Sequence, residues 1–401
     1  MKNNPENIAI VGAGVAGSRL AYLLAAKGKR VLLFDHKAPW EKPCGGGLTS
    51  KIAWDFPEIM KLDLDRREHR RMHLIFPSGR RAALSLSWPM FTVSRKRLGE
   101  KMIEQAKSEG ADFHMEKVRT ISRESGKCFI GADAGEYEAD LVVGADGVNS
   151  LVRKTFLTKF EREDLCLTYG ALLHEEAPFS LTMKFFKGFQ GYAWIFPRTG
   201  STSVGIAMER GGAMPEELRE KLKEFLTEEW KRRGLVLPDL SGGKSYFIPA
   251  MSRESFEQAT VCGDGWALVG DASGAADPLT GEGIYYALET ANLLSKVILA
   301  EHSYDIDLYQ EFWNNMAMLS IGKVAKVTEK FYRPSTLNLL GFFLDYSPAI
   351  RYLARHLIGG TQDYYTLKER VYRDIPRYIR ETGWNIIIRN KGERKKKRLK
   401  L

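Results

Sequence analysis

Short apolar runs of the buried-strand kind alternate along the chain with stretches patterned at helical spacing. Ile8 to Val11 is the first such run. A helix with Leu20, Leu23 and Leu24 on one face follows, then a second strand from Val31 to Phe34. Strand, helix and strand in quick succession predict a βαβ unit and a parallel sheet. From Arg71 the period changes: Met72, Leu74 and Phe76 alternate with polar residues, Pro77-Ser78-Gly79 reads as a turn, and Ala82 to Leu86 returns. A helix from Leu98 to Ser108 and an apolar strand from Leu141 to Val143 restore the first pattern. Residues 165–255 have period-2 strands at 165–173, 181–186, 192–196, 203–208 and near 246–248, with one charged helix at 215–233. That pattern predicts an antiparallel sheet. A last apolar strand, Trp266 to Val269, precedes a helix opening near Gly283, and the rest of the chain reads as helical. Leu337 to Leu344 forms a short apolar patch, suited to a helix lying on a membrane surface or to packing within a C-terminal subdomain.

Composition narrows the class without naming a function. A chain of 401 residues with 44% hydrophobic and 27% charged positions is ordinary for a soluble enzyme of about two or three domains. No apolar run approaches the roughly 20 residues that span a bilayer, and no signal peptide is expected before the first strand. Cys44, Cys128, Cys166 and Cys262 are scattered with no CxxC pair. No metal site and no disulfide framework are therefore expected, and a reducing cytoplasm is the default location. Of the net charge of +10, residues 391–401 supply +6 (seven Lys/Arg, one Glu) and the rest of the chain +4. Such a tail suits a solvated end or peripheral contact with an anionic membrane; with no nucleic-acid motif, nucleic acid is not an expected partner.

The chemistry concentrates in glycine-rich strand ends. Gly12-Ala13-Gly14-Val15-Ala16-Gly17 is a G-x-G-x-x-G between strand and helix, and Asp35 ends the second strand. That context marks a dinucleotide site: Gly12 for the tight turn, Gly14 for close approach of a pyrophosphate, Gly17 for helix–strand packing and Asp35 for ribose hydroxyls. Pro43-Cys44-Gly45-Gly46-Gly47 is costly in chain entropy, which implies that something lies against its backbone or that it is a flexible surface loop. Cys44 is then either a small filler or a thiol near a ligand. Gly144-Ala145-Asp146-Gly147, with Asn149, Ser150 and Arg153 after it, repeats the strand-end pattern. So does Gly270-Asp271, which leads through Asp277-Pro278 to Gly281-Glu282-Gly283 at a helix start. Tyr192, Trp194 and Phe196 share one face of a strand, as sheet core or as a binding wall. Arg95 suits either a surface position or a phosphate.

Taken together, the three glycine-rich motifs resemble those of FAD-dependent oxidoreductases of the para-hydroxybenzoate hydroxylase type. Pro43 to Gly47, the Y-x-W-x-F-P of 192–197 and the DPLTGEGIYYAL of 277–288 are similar to the geranylgeranyl reductase family in particular. The resemblance implies an α/β fold: a Rossmann-like FAD-binding domain (1–70, 90–164 and 256–300), an inserted antiparallel-sheet substrate domain (71–89 and 165–255) and a C-terminal helical region with a basic tail (301–401). It places Ala16, Gly17 and Asp35 on the ADP part of FAD, with Val118 near adenine. Cys44, Gly45 and Gly47 fall along the flavin, Arg95 at the phosphate and ribityl region, and Asp271 on the ribityl chain. Gly283 and Ile284 come to the pyrimidine edge, and Asp146 and Gly281 complete the set. Asp35 departs from the family's more frequent Glu.

The implied activity is saturation of isolated C=C bonds in a prenyl lipid. Tyr192, Trp194 and Phe196 would line an apolar tunnel, and Cys44 or Tyr192 would donate the proton. No second G-x-G-x-x-G unit is present, so NADPH, ferredoxin or another donor of electrons all remain open. Two other readings stand beside this one. One is a flavin monooxygenase or halogenase of the same fold; the other is a non-catalytic flavoprotein that binds lipid.

Overall fold

The computed structural model describes residues 4–208, 214–301, 304–360 and 364–398. Its first layer is a six-stranded sheet in the order Cys262–Gly263, Trp266–Leu268, Leu141–Gly144, Asn7–Val11, Arg30–Phe34, Asp112–His114. All its pairings are parallel except the terminal one between Cys262–Gly263 and Trp266–Leu268. Ile8, Ile10, Val142 and Val143 are fully buried, as expected of strands covered on both faces. Helix Val15–Ala25 packs on this layer between Arg95–Ser108 and Ile284–Ile298.

Strand Asn7–Val11 is flanked by Leu141–Gly144 on one side and Arg30–Phe34 on the other. The chain order therefore reverses there, and ligands of open α/β sheets bind outside the carboxyl ends of strands at such a point. Gly12, Asp35, Ala145 and Gly270 all follow those carboxyl ends.

The second layer is an eight-stranded sheet in the order Lys244–Pro249, Leu165–Leu173, Ser201–Met208, Gly191–Arg198, Leu181–Phe185, Arg67–Ile75, Arg81–Thr92, Gly47–Leu48. It is antiparallel as expected, with one exception: Leu181–Phe185 runs parallel to Arg67–Ile75, joining the early hairpin to the later strands. Along Gly191–Arg198, Ala193 and Ile195 join the core formed with helix Pro215–Lys231. Tyr192, Trp194 and Phe196 belong to apolar clusters on the opposite face.

A three-stranded meander (Val118–Glu124, Lys127–Ala132, Gly135–Ala139) went unforeseen in the pattern of residues. The C-terminal region is helical, as expected. The apolar patch at Leu337–Leu344 packs one side on the body: Leu337 and Leu344 are fully buried and a Cβ on Gly341 would meet the Phe76 ring at 2.8 Å, while Leu339 is exposed. Among the described residues no helix is long and apolar enough to cross a membrane.

Candidate active site

A single cavity of about 1080 Å³ runs between the two sheets, at the upper end of roughly 300–1,000 Å³ for ligand pockets. Its wall includes Gly12, Gly14, Ala16, Asp35, Cys44, Gly45, Arg95, Val118, Asp146, Asp271, Gly281, Gly283 and Ile284. Tyr192, Trp194 and Phe196 line the same cavity. Of the expected residues, Gly17 and Gly47 stand off it. Gly17 has another duty: a Cβ there would strike the Gly12 carbonyl, so its bareness lets helix and strand close together. Gly47 pairs with Thr92 in the second sheet.

Two helix N-termini open onto this cavity. Helix Val15–Ala25 begins after Gly14, and helix Ile284–Ile298 begins after Gly283. Neither start has a side-chain cap or an acid in its first turn, so the leading N–H groups are left for an electron-rich ligand. Gly14 has nothing within 4 Å of where a Cβ would sit, which leaves its backbone open to close approach. Helix Arg95–Ser108 shows the contrast. Its first amides are taken by the protein itself: Arg95 N–H donates to Glu41 Oε1 (3.1 Å), Lys96 N–H to Glu41 Oε2 (3.2 Å) and Arg97 N–H to Ser94 Oγ (3.2 Å).

Asp35 sits where the dinucleotide motif requires an acid, but it is already engaged. It accepts from Ala13 N–H (3.0 Å), Lys37 N–H (2.8 Å) and Ala38 N–H (3.0 Å). Of the roughly four acceptor positions on a carboxylate, about one is left for a hydroxyl. Asp271 reaches across the cavity to Lys42, 3.3 Å away. The side-chain atoms Asp146 Oδ1 and Arg95 Nε are buried without a hydrogen-bond partner. Both residues line the cavity.

The triple-glycine loop is shaped by protein. A Cβ on Gly45 would lie 2.5 Å from the Phe196 ring, and Gly46, at φ +66°, lies under Arg198 and the Val93 carbonyl. Arg198 is 2% exposed and forms the hub of this loop. It pairs with Glu41 Oε1 (2.6 Å) and donates to the carbonyls of Cys44 and Gly45. Ser203 Oγ also donates to the Cys44 carbonyl (2.9 Å) and accepts from Trp194 Nε1 (3.1 Å), tying the aromatic strand to the loop. Neither Glu41 nor Arg198 was singled out from sequence; the signal available was one charged residue at each edge of an otherwise apolar or glycine-rich motif.

Cys44 Sγ accepts from Arg95 Nη1 and from the Gly46 N–H, both at 3.4 Å. Burial pushes this thiol up, but the charge of Arg95, the Gly46 N–H, and the charges of Lys42 and Arg198 outweigh it, so its pKa lies below the ordinary thiol value. Tyr192 goes the other way. Burial raises its pKa well above the usual phenol range, and its hydroxyl donates to the Thr280 carbonyl.

A family model described as an FAD binding domain matches residues 6–303. Digeranylgeranylglycerophospholipid reductase 2 from Methanothermobacter thermautotrophicus is 30% identical over 320 residues, which are 73% of this chain and 77% of that one. The chain belongs to the geranylgeranyl reductase family of FAD-dependent oxidoreductases. A geranylgeranyl bacteriochlorophyll reductase-like protein from Thermoplasma acidophilum shares this fold at a TM-score of 0.71, with 20% identity over 92% of this chain and 99% of that one. The flavin-dependent brominase Bmp2 does so at 0.70, also at 20% identity, over 94% and 99%. The fold alone is thus shared by both chemistries.

The cavity suits FAD on its own terms. Its length joins two uncapped helix starts, as a molecule with a diphosphate at one position and an electron-poor ring at another requires. The unpartnered Asp146 Oδ1 and Arg95 Nε supply an acceptor and a donor along the way. Among the described residues no cluster is arranged to hold a metal ion.

One further carboxylate, named in the sequence only as part of the Gly281-Glu282-Gly283 motif, has a role of its own. The half-buried Glu282 accepts from Thr49 Oγ1 at 2.8 Å and thereby ties the 277–283 loop to the 43–48 loop. Burial pushes its pKa up, the Thr49 bond opposes that, and the neighbouring Asp277 charge adds to it, for a value of about 7.

Proposed function

We propose that this enzyme saturates isolated C=C bonds of a polyprenyl lipid. The observation that supports this most is that the aromatic strand 191–198 and the three glycine-rich motifs border one cavity, so an apolar chain and a flavin would meet there. A small adjoining pocket lined by Cys166, Ala207, Ile248, Pro278, Leu279 and Tyr332 extends the apolar wall beyond Tyr192. The name of the 30%-identical relative points to the same lipid class.

Bound FAD, when reduced, supplies hydride to one alkene carbon. An isolated alkene has no carbonyl to take up the resulting charge, so the protein must deliver a proton to the other carbon. Hydride plus proton accounts for both hydrogens gained and for the two electrons. Cys44 is the better acid of the two candidates, since its pKa is lowered while that of Tyr192 is raised. Tyr192 acts instead as a post, holding the Thr280 carbonyl and with it the loop before helix Ile284–Ile298. Trp194 would present an aromatic surface to cationic character at a tertiary carbon. In the same reading Gly14, Val15 and Ala16 cradle the diphosphate, and Gly283 and Ile284 face the pyrimidine edge, where the helix start favours negative charge.

The test is anaerobic incubation of the dithionite-reduced, FAD-loaded enzyme with prenyl lipids, which bypasses the natural electron donor. Mass spectrometry should show stepwise gains of two hydrogens. Cys44→Ala should lower turnover by about a hundredfold or more, the usual scale of a lost general acid. Full turnover by that variant would remove Cys44 from the mechanism. Product formed only with oxygen and halide would replace the reductase reading with the halogenase one.

A further inference from the structure

The C-terminal helix (Tyr364–Arg398) carries a face that neither the fold nor the cavity explains. One side packs on the body. Tyr378 and Thr382 are buried, Asn385 Nδ2 donates to the Tyr346 carbonyl (2.7 Å), and Glu381 accepts from Ser347 Oγ (2.8 Å) and Ala349 N–H (3.0 Å). Elsewhere on the same helix Tyr372, Ile375, Ile379, Trp384, Ile387 and Ile388 are exposed, Trp384 at 66% and Ile379 at 63%. Tyr372, Ile375 and Ile379 fall at i, i+3 and i+7 and share one side, Trp384, Ile387 and Ile388 at i, i+3 and i+4 share another, and two such groups are more than scattered single apolar residues.

The charged residues among them are mostly cationic. Arg373, Arg377 and Arg380 are exposed; Arg373 pairs with the half-buried Asp374 (3.2 Å) and Arg377 with the half-buried Glu381 (2.8 Å), whose other oxygen holds Ser347, so positive charge is in excess along this side. Glu369, at the start of the stretch, is its exposed carboxylate. The sequence downstream, 389–401, adds eight Lys/Arg and one Glu. Large aliphatic and tryptophan side chains mixed with arginines are what a helix in a headgroup layer presents. A second copy of the chain is a poorer occupant, because a two-fold contact would bring together two patches with the same cationic excess.

We propose that this face docks the enzyme on an anionic lipid bilayer, with Ile379, Trp384 and Ile387 entering the headgroup region and Arg373, Arg377 and Arg380 meeting lipid phosphates. The inference goes beyond the reductase reading and does not depend on the substrate.

Sedimentation of the full-length, FAD-loaded enzyme with vesicles that contain no prenyl lipid tests it. Wild type should pellet with phosphatidylcholine vesicles doped with phosphatidylglycerol and remain in solution with phosphatidylcholine alone. The Ile379→Ser/Trp384→Ser variant should lose at least about tenfold in affinity. The Arg373→Gln/Arg377→Gln/Arg380→Gln variant should lose a similar factor, and that loss should shrink in high salt. All five side chains are exposed, so thermal melting should be unchanged and should exclude misfolding. Absence of binding to the anionic vesicles overturns the proposal. So does wild-type binding by both variants, which would assign the interaction to the tail. A dimer in gel filtration that the Ile379/Trp384 variant converts to monomer overturns it in favour of a subunit interface.

Discussion

At the scale of single residues, the site is governed by how Arg198 spends its three contacts. Its planar fork joins Glu41 to the carbonyls of Cys44 and Gly45, which fixes the loop that presents the thiol. Arg198→Lys keeps the charge but not the fork, so it should loosen the loop while sparing part of the electrostatic effect. Arg198→Met removes both and leaves Glu41 with an uncompensated charge, at a cost of about 3 kcal/mol on the scale of broken buried pairs. The readout is alkylation of Cys44 by iodoacetamide in FAD-free protein, selective because Cys128, Cys166 and Cys262 are buried. Loss of the Arg198 charge, the smallest of the lowering influences on this thiol, raises its pKa, so at pH 7 the reaction should slow and its pH midpoint should move upward. Arg198→Lys should fall between wild type and Arg198→Met. An unmoved midpoint in Arg198→Met would mean that Arg95, the Gly46 N–H and Lys42 set the acidity without it.

At the scale of elements, the strand and helix pattern was largely legible, because period and turn chemistry are local. The strand expected at 165–173 and the hairpin around Pro77-Ser78-Gly79 are where they were expected. What escaped is what depends on partners distant in sequence. The parallel junction between Leu181–Phe185 and Arg67–Ile75 leaves no local trace. The meander from Val118 to Ala139 has charged faces that blunt its alternation. The glycines of 45–46 were read as having something against their backbone or as a flexible loop; what lies against them is protein, Phe196 and Arg198, and the residues concerned are about 150 positions away in sequence. The Thr49–Glu282 tie belongs to the same class, since 233 residues separate its ends.

That tie has a pH signature. Folding raises the Glu282 pKa to about 7, so between the unfolded value and 7 the folded state holds more protons. Its contribution is full below roughly pH 4.3 and is lost as pH rises through 7. His69 acts oppositely. Burial holds its pKa down to about 4, so its contribution is present above roughly pH 6.5 and is lost as pH falls toward 4. The two slopes oppose one another across mildly acidic pH. Glu282→Gln should unmask the His69 slope: the melting temperature of the variant should climb steadily from pH 4.5 to 6.5, and its fall between pH 6.5 and 8 should flatten. A variant profile parallel to wild type would place the Glu282 titration outside this window.

At the scale of the whole molecule, the cavity is made by segments at strand ends of the first sheet and by the middle of one strand of the second. Residues 12–16, 35–45, 145–151 and 270–287 border it from the first sheet and 192–196 from the second. A ligand that touches all of them binds the folded state alone, and should stabilise it by about 2.7 kcal/mol at a hundred times its dissociation constant. FAD added to the deflavinated protein should therefore raise the melting temperature in a concentration-dependent way. The distribution of the gain is the sharper observable. Amide exchange should slow together in the segments around Gly14, Cys44, Asp146 and Gly283, because the two uncapped helix starts lose their solvent partners to the same molecule. Helix Pro215–Lys231, which packs on the far face of the second sheet, should gain only what global stabilisation confers. If protection rose around Gly14 but not around Gly283, the ligand would be held by its adenylate half alone. The uncapped start of helix Ile284–Ile298 would then have to serve something other than the flavin ring.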